Sequence, residues 1–281
     1  MIQLRNIQLQ SVHKRKFLAD IFYKKDGVPK PIVILSHGFK GFKDWGVFDL
    51  VAKEFANHDF VFVKFNFSHN GTTIEQPCDF VDAKAFGQNN FSKELDDLGV
   101  VIDWVFSEEF LVNKNEINTQ EINLIGHSRG GGLVILKGAQ DKRVKKIAAW
   151  ASVNEFGKFW KHNEMKQIKE EGVIFIENTR TKQRLPIYAQ MYDDYFENKK
   201  LLYIPNAVKN LTIPLLLVHG TKDEAVPVLS SLEMKEWQPN AELFVIDNAN
   251  HVFGAKHPWI EKDLPTDYKM VVNKTIDFFK Q

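Results

Sequence analysis

The strongest signal in the chain is INLIGHSRG, at residues 122–130. A short apolar run stands before the pentapeptide Gly-x-Ser-x-Gly, and the helical pattern GGLVILKGA follows it directly. A serine on a sharp strand-to-helix turn needs small residues two positions to either side, because the backbone is crowded there. Since such a turn exposes the hydroxyl at a helix N-terminus, the pattern predicts a nucleophile at Ser128. The alternative is an ordinary glycine-rich turn.

Short apolar runs rich in Val, Ile and Phe recur along the chain and predict strands. Most are continuous rather than alternating, as in strands that are covered on both faces. The runs are 32–35, 60–65, 122–125, 147–151, 213–218 and 243–246. Helical patterns lie between them, over 45–56, 91–105 (with Ser92 as the expected N-cap), 129–139, 227–237 and 265–279. This alternation predicts an α/β fold with a mostly parallel central sheet flanked by helices.

Two segments depart from the alternation. Residues 2–9 and 17–23, separated by a basic turn, predict an antiparallel hairpin at an edge of the sheet. Residues 154–209 are too long for an ordinary connection between two core strands. We interpret them as a cap inserted into a single domain that spans 1–281. The alternative is one extra helical layer that does not contact a ligand.

Composition excludes several classes of protein. The 281 residues carry 37 Lys and Arg against 36 Asp and Glu, so the basic excess of a nucleic-acid or membrane-surface binder is missing. The single cysteine, Cys78, can form no internal disulfide, and a cysteine-based zinc site needs more than one. The N-terminus lacks the unbroken apolar region of a secretory signal, and no apolar run approaches the ~20 residues of a membrane span. We therefore expect a cytoplasmic protein without nucleic-acid, membrane or metal partners.

A nucleophilic serine needs a base, and the base needs an acid that orients it. Asp223 follows one strand run, within HGTKDEAVP, and His251 follows the next, within NANHVF. Because the carboxyl ends of parallel strands meet at one edge of a sheet, both side chains are expected close to Ser128. The alternatives are an N-cap role for Asp223, with Glu224 as the acid, and His257 as the base.

A fourth motif, SHGFKG at residues 36–41, follows the first core strand. A glycine-bracketed turn there can aim the backbone N–H of Phe39 at a substrate oxygen. The N–H of Arg129, the residue after the nucleophile, would be the second donor of an oxyanion hole. Three histidines beside these motifs are interpreted as turn-stabilising residues: His37, His127 and His219.

In this order, HGFKG, GHSRGG, HGTKDEAVP and NANHVF resemble the motifs of the α/β-hydrolase superfamily. The closer resemblance is to esterases of the cinnamoyl or feruloyl type and to prolyl-oligopeptidase-like hydrolases, and it runs from about residue 31 to the C-terminus. It implies a triad of Ser128, Asp223 and His251, with the amides of Phe39 and Arg129 as the oxyanion hole.

The resemblance has one departure and one further implication. Those esterases commonly have Gln after the nucleophile, whereas this chain has Arg129, whose guanidinium could pair with an acid or reach a substrate carboxylate. In the cinnamoyl-esterase group a cap, or lid, lies between the sixth and seventh core strands, which is where residues 154–209 fall.

The predicted function is hydrolysis of a small-molecule carboxylic ester through an acyl-enzyme, without a cofactor. The candidate substrates are aromatic esters of the cinnamoyl or feruloyl kind and short-chain esters. Tyr188, Tyr192 and Tyr195 recur at helical spacing and are candidate substrate-binding residues, with plain packing as the alternative. Peptide or amide hydrolysis by the same triad, and a non-catalytic binding protein on the same scaffold, are the alternative functions. The sequence does not decide the oligomeric state, and a homodimer stays open.

Overall fold

The computed structural model describes residues 1–159 and 162–281 of the chain. Its strands are β1 (Ile2–Gln10), β2 (Lys16–Tyr23), β3 (Lys30–Ser36), β4 (Val61–Phe65), β5 (Ile117–His127), β6 (Val144–Trp150), β7 (Val173–Glu177), β8 (Arg184–Tyr188), β9 (Leu215–Gly220) and β10 (Glu242–Ile246). Its α-helices are α1 (Phe48–Asn57), α2 (Ala83–Gly87), α3 (Phe91–Phe106), α4 (Arg129–Gln140), α5 (His162–Glu171), α6 (Ala189–Glu197), α7 (Lys199–Leu202), α8 (Ile204–Lys209), α9 (Leu229–Trp237) and α10 (Thr266–Lys280). Among these described helices, none combines the length and apolar character that crossing a membrane requires.

Eight strands form the central sheet, in the order β1-β2-β4-β3-β5-β6-β9-β10. From β4 to β10 neighbouring strands are parallel, as connections through helices require. The first two strands form an antiparallel hairpin, and β2 pairs antiparallel with β4, so β1 lies at the edge of the sheet. The predicted α/β fold with an N-terminal hairpin is confirmed.

Both faces of the sheet are buried, which explains the continuous apolar runs. Along β3, Ile32 and Ile34 join the core cluster that includes α3 and α4, whereas Val33 and Leu35 join the cluster that includes α1 and α10. A strand that is covered on both sides has no position at which a polar residue would reach water. The sequence pattern and the two-sided packing therefore have the same cause.

The start of α3 corrects one expectation. Ser92 is not the N-cap, because the helix begins earlier and Ser92 lies inside its first turn. Asn90 has an extended backbone (φ −154°), and its side-chain oxygen accepts a hydrogen bond from the backbone N–H of Lys93 at 2.9 Å. The cap was missed because both residue types are good N-caps and the sequence does not show which of them has the extended backbone.

Residues 154–209 lie between β6 and β9. They contain α5 to α8 and a separate two-stranded antiparallel sheet of β7 and β8. This segment packs on the body through α8, which contacts α4, and through β8, which contacts α2. The turn between β7 and β8 is the part of this segment that lines a cavity together with Ser128.

Candidate active site

Ser128 lies between β5 and α4 in a backbone conformation that L-residues rarely adopt, with φ +56° and ψ −119°. The turn is tight because the chain crosses itself there. A Cβ at Gly126 would overlap the backbone of Gly130, and a Cβ at Gly130 would overlap the carbonyl oxygen of Ser36. The two glycines of the pentapeptide are therefore required by contact between backbones, as the sequence pattern predicts.

Asp223 follows β9, and both of its carboxylate oxygens accept hydrogen bonds. Its Oδ1 accepts from the backbone N–H groups of Ala225 (2.9 Å) and Val226 (2.8 Å). Its Oδ2 lies 2.7 Å from Nδ1 of His251 and 3.1 Å from Nε2 of His219. Nε2 of His219 has the backbone oxygen of Val226 as its hydrogen-bond partner, at 2.8 Å. The carboxylate is buried, so the two backbone N–H groups and His251 replace the water that it loses.

The electrostatics of Asp223 favour its charged form. Burial alone would raise the pKa of the carboxyl, but hydrogen bonds to His219 and His251 outweigh burial and hold the pKa well below its ordinary value. Glu224, the alternative acid, is exposed to solvent. Asp223 is thus the acid that the structure brings to His251.

His251 has the geometry of a base whose second ring nitrogen is available. Its Nδ1–H donates to Asp223, which leaves Nε2 as the acceptor, and the side chain is 22% exposed. His251 and Ser128 line one cavity. His257 lines the same cavity, but its Nδ1 accepts a hydrogen bond from the backbone N–H of Gly46 at 2.9 Å.

Burial keeps two of the neighbouring histidines, His37 and His127, neutral. Burial lowers the pKa of His37 to about 4, and burial together with the nearby His251 lowers the pKa of His127 to about 3. His127 contacts the backbone oxygen of His251 through Nε2 at 2.9 Å, and His219 contacts the hydroxyl of Ser231 through Nδ1 at 2.7 Å. Through these contacts His127 and His219 link neighbouring turns, which agrees with their interpretation as turn-stabilising residues.

The loop after β3 passes directly over Ser128. A Cβ at Gly38 would lie 3.0 Å from the Cβ of Ser128, so only glycine allows this approach. The backbone N–H of Gly41 closes the loop by donating to the carbonyl oxygen of Gly38 at 3.0 Å. The loop brings Phe39 beside Arg129, which is the first residue of α4 and has no intrahelical acceptor for its N–H.

The side chain of Arg129 is paired with an acid. Its Nη2 lies 2.5 Å from Oε1 of Glu94, and only 7% and 1% of the two side chains are exposed. Asn89 donates to the same carboxylate oxygen at 2.6 Å, and the guanidinium lies 4.4 Å from the centre of the Phe39 ring. Burial raises the pKa of Glu94 and lowers that of Arg129. Glu94 is not among the site residues that the sequence predicts.

The cavity beside Ser128 and His251 has a volume of about 490 Å³. The turn between β7 and β8 contributes residues 178–180 to its wall, and this is the contribution of segment 154–209. Much of the remaining wall is aromatic: Phe39, Phe42, Trp45, Phe48 and Phe80.

The three candidate tyrosines lie elsewhere, since none is among the described residues that line the cavity. The ring of Tyr188 packs against Gly87. The ring of Tyr192 lies 4.4 Å from that of Phe196 and tilted to it, and Tyr195 is buried, with its hydroxyl 3.3 Å from Glu155. A role for these rings in substrate binding is not supported by this geometry and stays a prediction.

One group of carboxylates is close enough to hold a cation. Ligand oxygens of Asp20, Asp44 and Asp49 lie within 4.8 Å of one another. However, the amines of Lys43 and Lys64 form ion pairs within the group, both to Asp20 at 2.9 and 3.0 Å. We interpret the group as a buried ion-pair network that joins β2, β4 and the loop after β3.

Comparison with known proteins gives a family match for the chain. The BD-FAE family model matches residues 20–238. No curated protein matches the chain. Among solved structures, Est1E from Butyrivibrio proteoclasticus is similar at 17% identity and TM-score 0.66, with 98% of each chain covered. A structure described as ferulic acid bound to Est1E gives 18% identity and TM-score 0.71, again with 98% of each chain covered.

A third structure, the esterase domain from a Rhodothermus marinus protein, has 15% identity and TM-score 0.66, with 99% of this chain and 98% of that chain covered. Identities this low carry the fold alone. Together with the family match, they confirm the expected resemblance to α/β-hydrolase esterases.

The Glu94–Arg129 pair yields a stability prediction. Glu94→Gln leaves the buried guanidinium without its charge partner, so we expect the free energy of unfolding to fall by about 3–5 kcal/mol. The double variant Glu94→Gln/Arg129→Gln removes both charges and should regain most of that loss. Urea unfolding of the wild type, the single variant and the double variant measures these free energies of unfolding. Glu108→Gln, in an exposed pair with Lys114, is the matched control and should change stability by less than ~1 kcal/mol. A Glu94→Gln protein as stable as its control would contradict the interpretation.

Proposed function

The chain belongs to the BD-FAE family, and from that membership and the geometry of the site we propose that it is a serine hydrolase of carboxylic esters. Family membership supports hydrolase activity of the esterase kind. One observation carries the serine mechanism: His251 donates Nδ1–H to a buried carboxylate at 2.7 Å, while it shares a cavity with a serine held at positive φ. A base oriented in this way, in one cavity with a partly exposed serine at a helix N-terminus, is suited to acyl transfer.

The proposed reaction proceeds in two steps. His251 Nε2 takes the proton of the Ser128 hydroxyl as Oγ attacks the ester carbonyl, and Asp223 stabilises the imidazolium that forms. The backbone N–H groups of Phe39 and Arg129 donate to the oxyanion. The alcohol leaves with the proton from His251. Water, deprotonated by His251, then attacks the acyl-enzyme carbonyl and releases the acid, and the proton returns to Ser128.

Three finer points belong to the same proposal. The aromatic walls of the cavity support an aromatic or short-chain ester as substrate. The contribution of residues 178–180 supports the interpretation of segment 154–209 as a cap over the site. A single, half-buried cysteine supports a cytoplasmic location, because no disulfide is needed to stabilise the fold.

The first prediction from this proposed mechanism concerns the nucleophile, Ser128. Ser128→Ala removes the attacking oxygen, so turnover of 4-nitrophenyl acetate should fall by roughly 10⁴-fold or more, and labelling by a fluorophosphonate probe should disappear. Ser107→Ala, at the end of α3, is the matched control and should label like the wild type. A folded Ser128→Ala protein that still labels would remove this serine from the mechanism. Faster cleavage of aminoacyl naphthylamides than of esters would instead assign an amidase.

The second prediction separates the two candidate acids. Asp223→Asn keeps the size of the side chain but loses the charge that orients and stabilises the imidazole, so kcat for 4-nitrophenyl acetate should fall roughly 10²–10⁴-fold. Glu224→Gln, one residue along and exposed, should keep kcat within about twofold. Thermal melting verifies that both variants are folded. If instead the Glu224 variant were the impaired one, Glu224 would be the acid.

A further inference from the structure

The Lys and Arg residues that line the candidate active-site cavity have no acidic residue beside them in the part of its wall that the structure describes. Among the described residues that line it, three are basic (Lys40, Arg180 and Lys256) and none is Asp or Glu. A low-dielectric cleft lined by one sign of charge concentrates ligands of the opposite sign. The three cations differ in how far neighbouring acids already balance their charge.

Lys40 has no carboxylate partner in the part of the chain that the structure describes. It follows Phe39 in the loop over Ser128 and is partly buried. The hydrogen-bond acceptor of its ammonium group is the backbone oxygen of Glu177, at 3.4 Å. The Glu177 carboxylate pairs instead with Lys182, at 3.2 Å. Because burial is not offset by a nearby acid, the pKa of Lys40 is lowered.

The turn that Lys40 approaches contains a donor that is not used. Asn178 directly follows Glu177, lines the cavity and is 6% exposed. Its side-chain oxygen accepts from the backbone N–H of Arg180, but its buried Nδ2 has no hydrogen-bond partner among the described residues. A buried amide donor without an acceptor destabilises the fold, and a ligand oxygen would offset that cost.

The other two cations contribute less. The guanidinium of Arg180 pairs with Asp79 at 3.0 Å and donates to the backbone oxygen of Cys78 at 3.2 Å, so part of its charge is already balanced. Lys256 is exposed to solvent at the rim. Arg129, which the sequence allowed as a partner for a substrate carboxylate, is bound to Glu94 instead. Among the described residues that line this cavity, Lys40 therefore has a charge that no acid balances, and Asn178 has a donor without an acceptor.

We propose that the natural substrate is an ester that carries a carboxylate in addition to its scissile bond, and that Lys40 and the Asn178 amide bind that carboxylate. One ammonium and one amide donor match a singly charged group with two oxygens. The aromatic side chains of the same cavity would contact the apolar body of this substrate. The inference rests on the proposed esterase function and adds the substrate class to it.

Matched pairs of esters that differ by one charge test the proposal. The first pair, 4-acetoxybenzoate and methyl 4-acetoxybenzoate, carries the charge on the leaving group. The second pair, 4-nitrophenyl hydrogen glutarate and 4-nitrophenyl methyl glutarate, carries it on the acyl group. For at least one pair we expect kcat/KM to favour the anion about tenfold or more at low ionic strength. This ratio should shrink in 0.5 M NaCl, because salt screens the exposed part of the attraction.

Variants assign the preference to particular residues. Lys40→Gln should bring the ratio of the two kcat/KM values close to one, while Lys40→Arg should retain much of it. Asn178→Asp places a like charge beside the carboxylate and should reverse the preference. Lys269→Gln, an exposed position on α10 with the same change in net charge, should leave the ratio unchanged.

The outcomes separate the two proposals. Equal kcat/KM values within both pairs, or a ratio that survives both Lys40→Gln and Asn178→Asp, would overturn the carboxylate site while Ser128-dependent cleavage of the neutral esters continues. Cleavage of the neutral esters that persists in Ser128→Ala would overturn the esterase mechanism itself. The Asn178→Asp variant keeps the test decisive if Lys40→Gln fails to fold.

Discussion

The structure depends on one crossing of the backbone, at the turn between β5 and α4. Gly126 and Gly130 bring the two arms of the turn into contact, and this contact forces Ser128 into its positive-φ conformation. A conformation of this kind costs about 1–3 kcal/mol and persists only when its surroundings fix it. Here the N–H of Ser128 donates to the carbonyl oxygen of Trp150 on β6 at 2.8 Å, and its own carbonyl accepts from Gly131 at 3.0 Å. The backbone of Ser128 is thus held by hydrogen bonds to β6 and to the first turn of α4.

The second constraint is electrostatic. A buried carboxylate with three hydrogen-bond donors keeps its charge, and that charge fixes the orientation of one imidazole. The neighbouring rings of His37 and His127 are neutral because burial lowers their pKa values. Among the five histidines described at this site, His37, His127, His219, His251 and His257, only His251 combines a carboxylate partner, partial exposure and a place in the cavity.

Much of this could be predicted from the sequence because it depends on local patterns. Continuous apolar runs indicate strands covered on both faces, and glycines at fixed spacing indicate a crowded turn. Asp223 and His251 could be found because residues that follow parallel strands meet at one edge of the sheet. The N-cap of α3 could not, since Asn90 and Ser92 are both suitable and tertiary packing decides where the helix begins.

The contacts that depend on distant segments could not be predicted. Glu94 does carry a signal, because it lies on the apolar stripe of α3, where a buried acid needs a partner. Nothing in the sequence identifies Arg129 as that partner. Helical spacing groups the tyrosines of segment 154–209 but does not show which side of the segment faces the cavity. The residues of this segment that line the cavity, 178–180, belong to a turn without a recognisable motif.

The most direct measurement is a crystal structure of the protein after reaction with 4-nitrophenyl diethyl phosphate, whose phosphoryl group mimics the tetrahedral intermediate. The account predicts one adduct, bonded to Oγ of Ser128. Its phosphoryl oxygen should lie ~3 Å from the backbone nitrogens of Phe39 and Arg129, and Nε2 of His251 within hydrogen-bond reach of Oγ. An adduct on another residue, or a phosphoryl oxygen that points away from both amides, would contradict it.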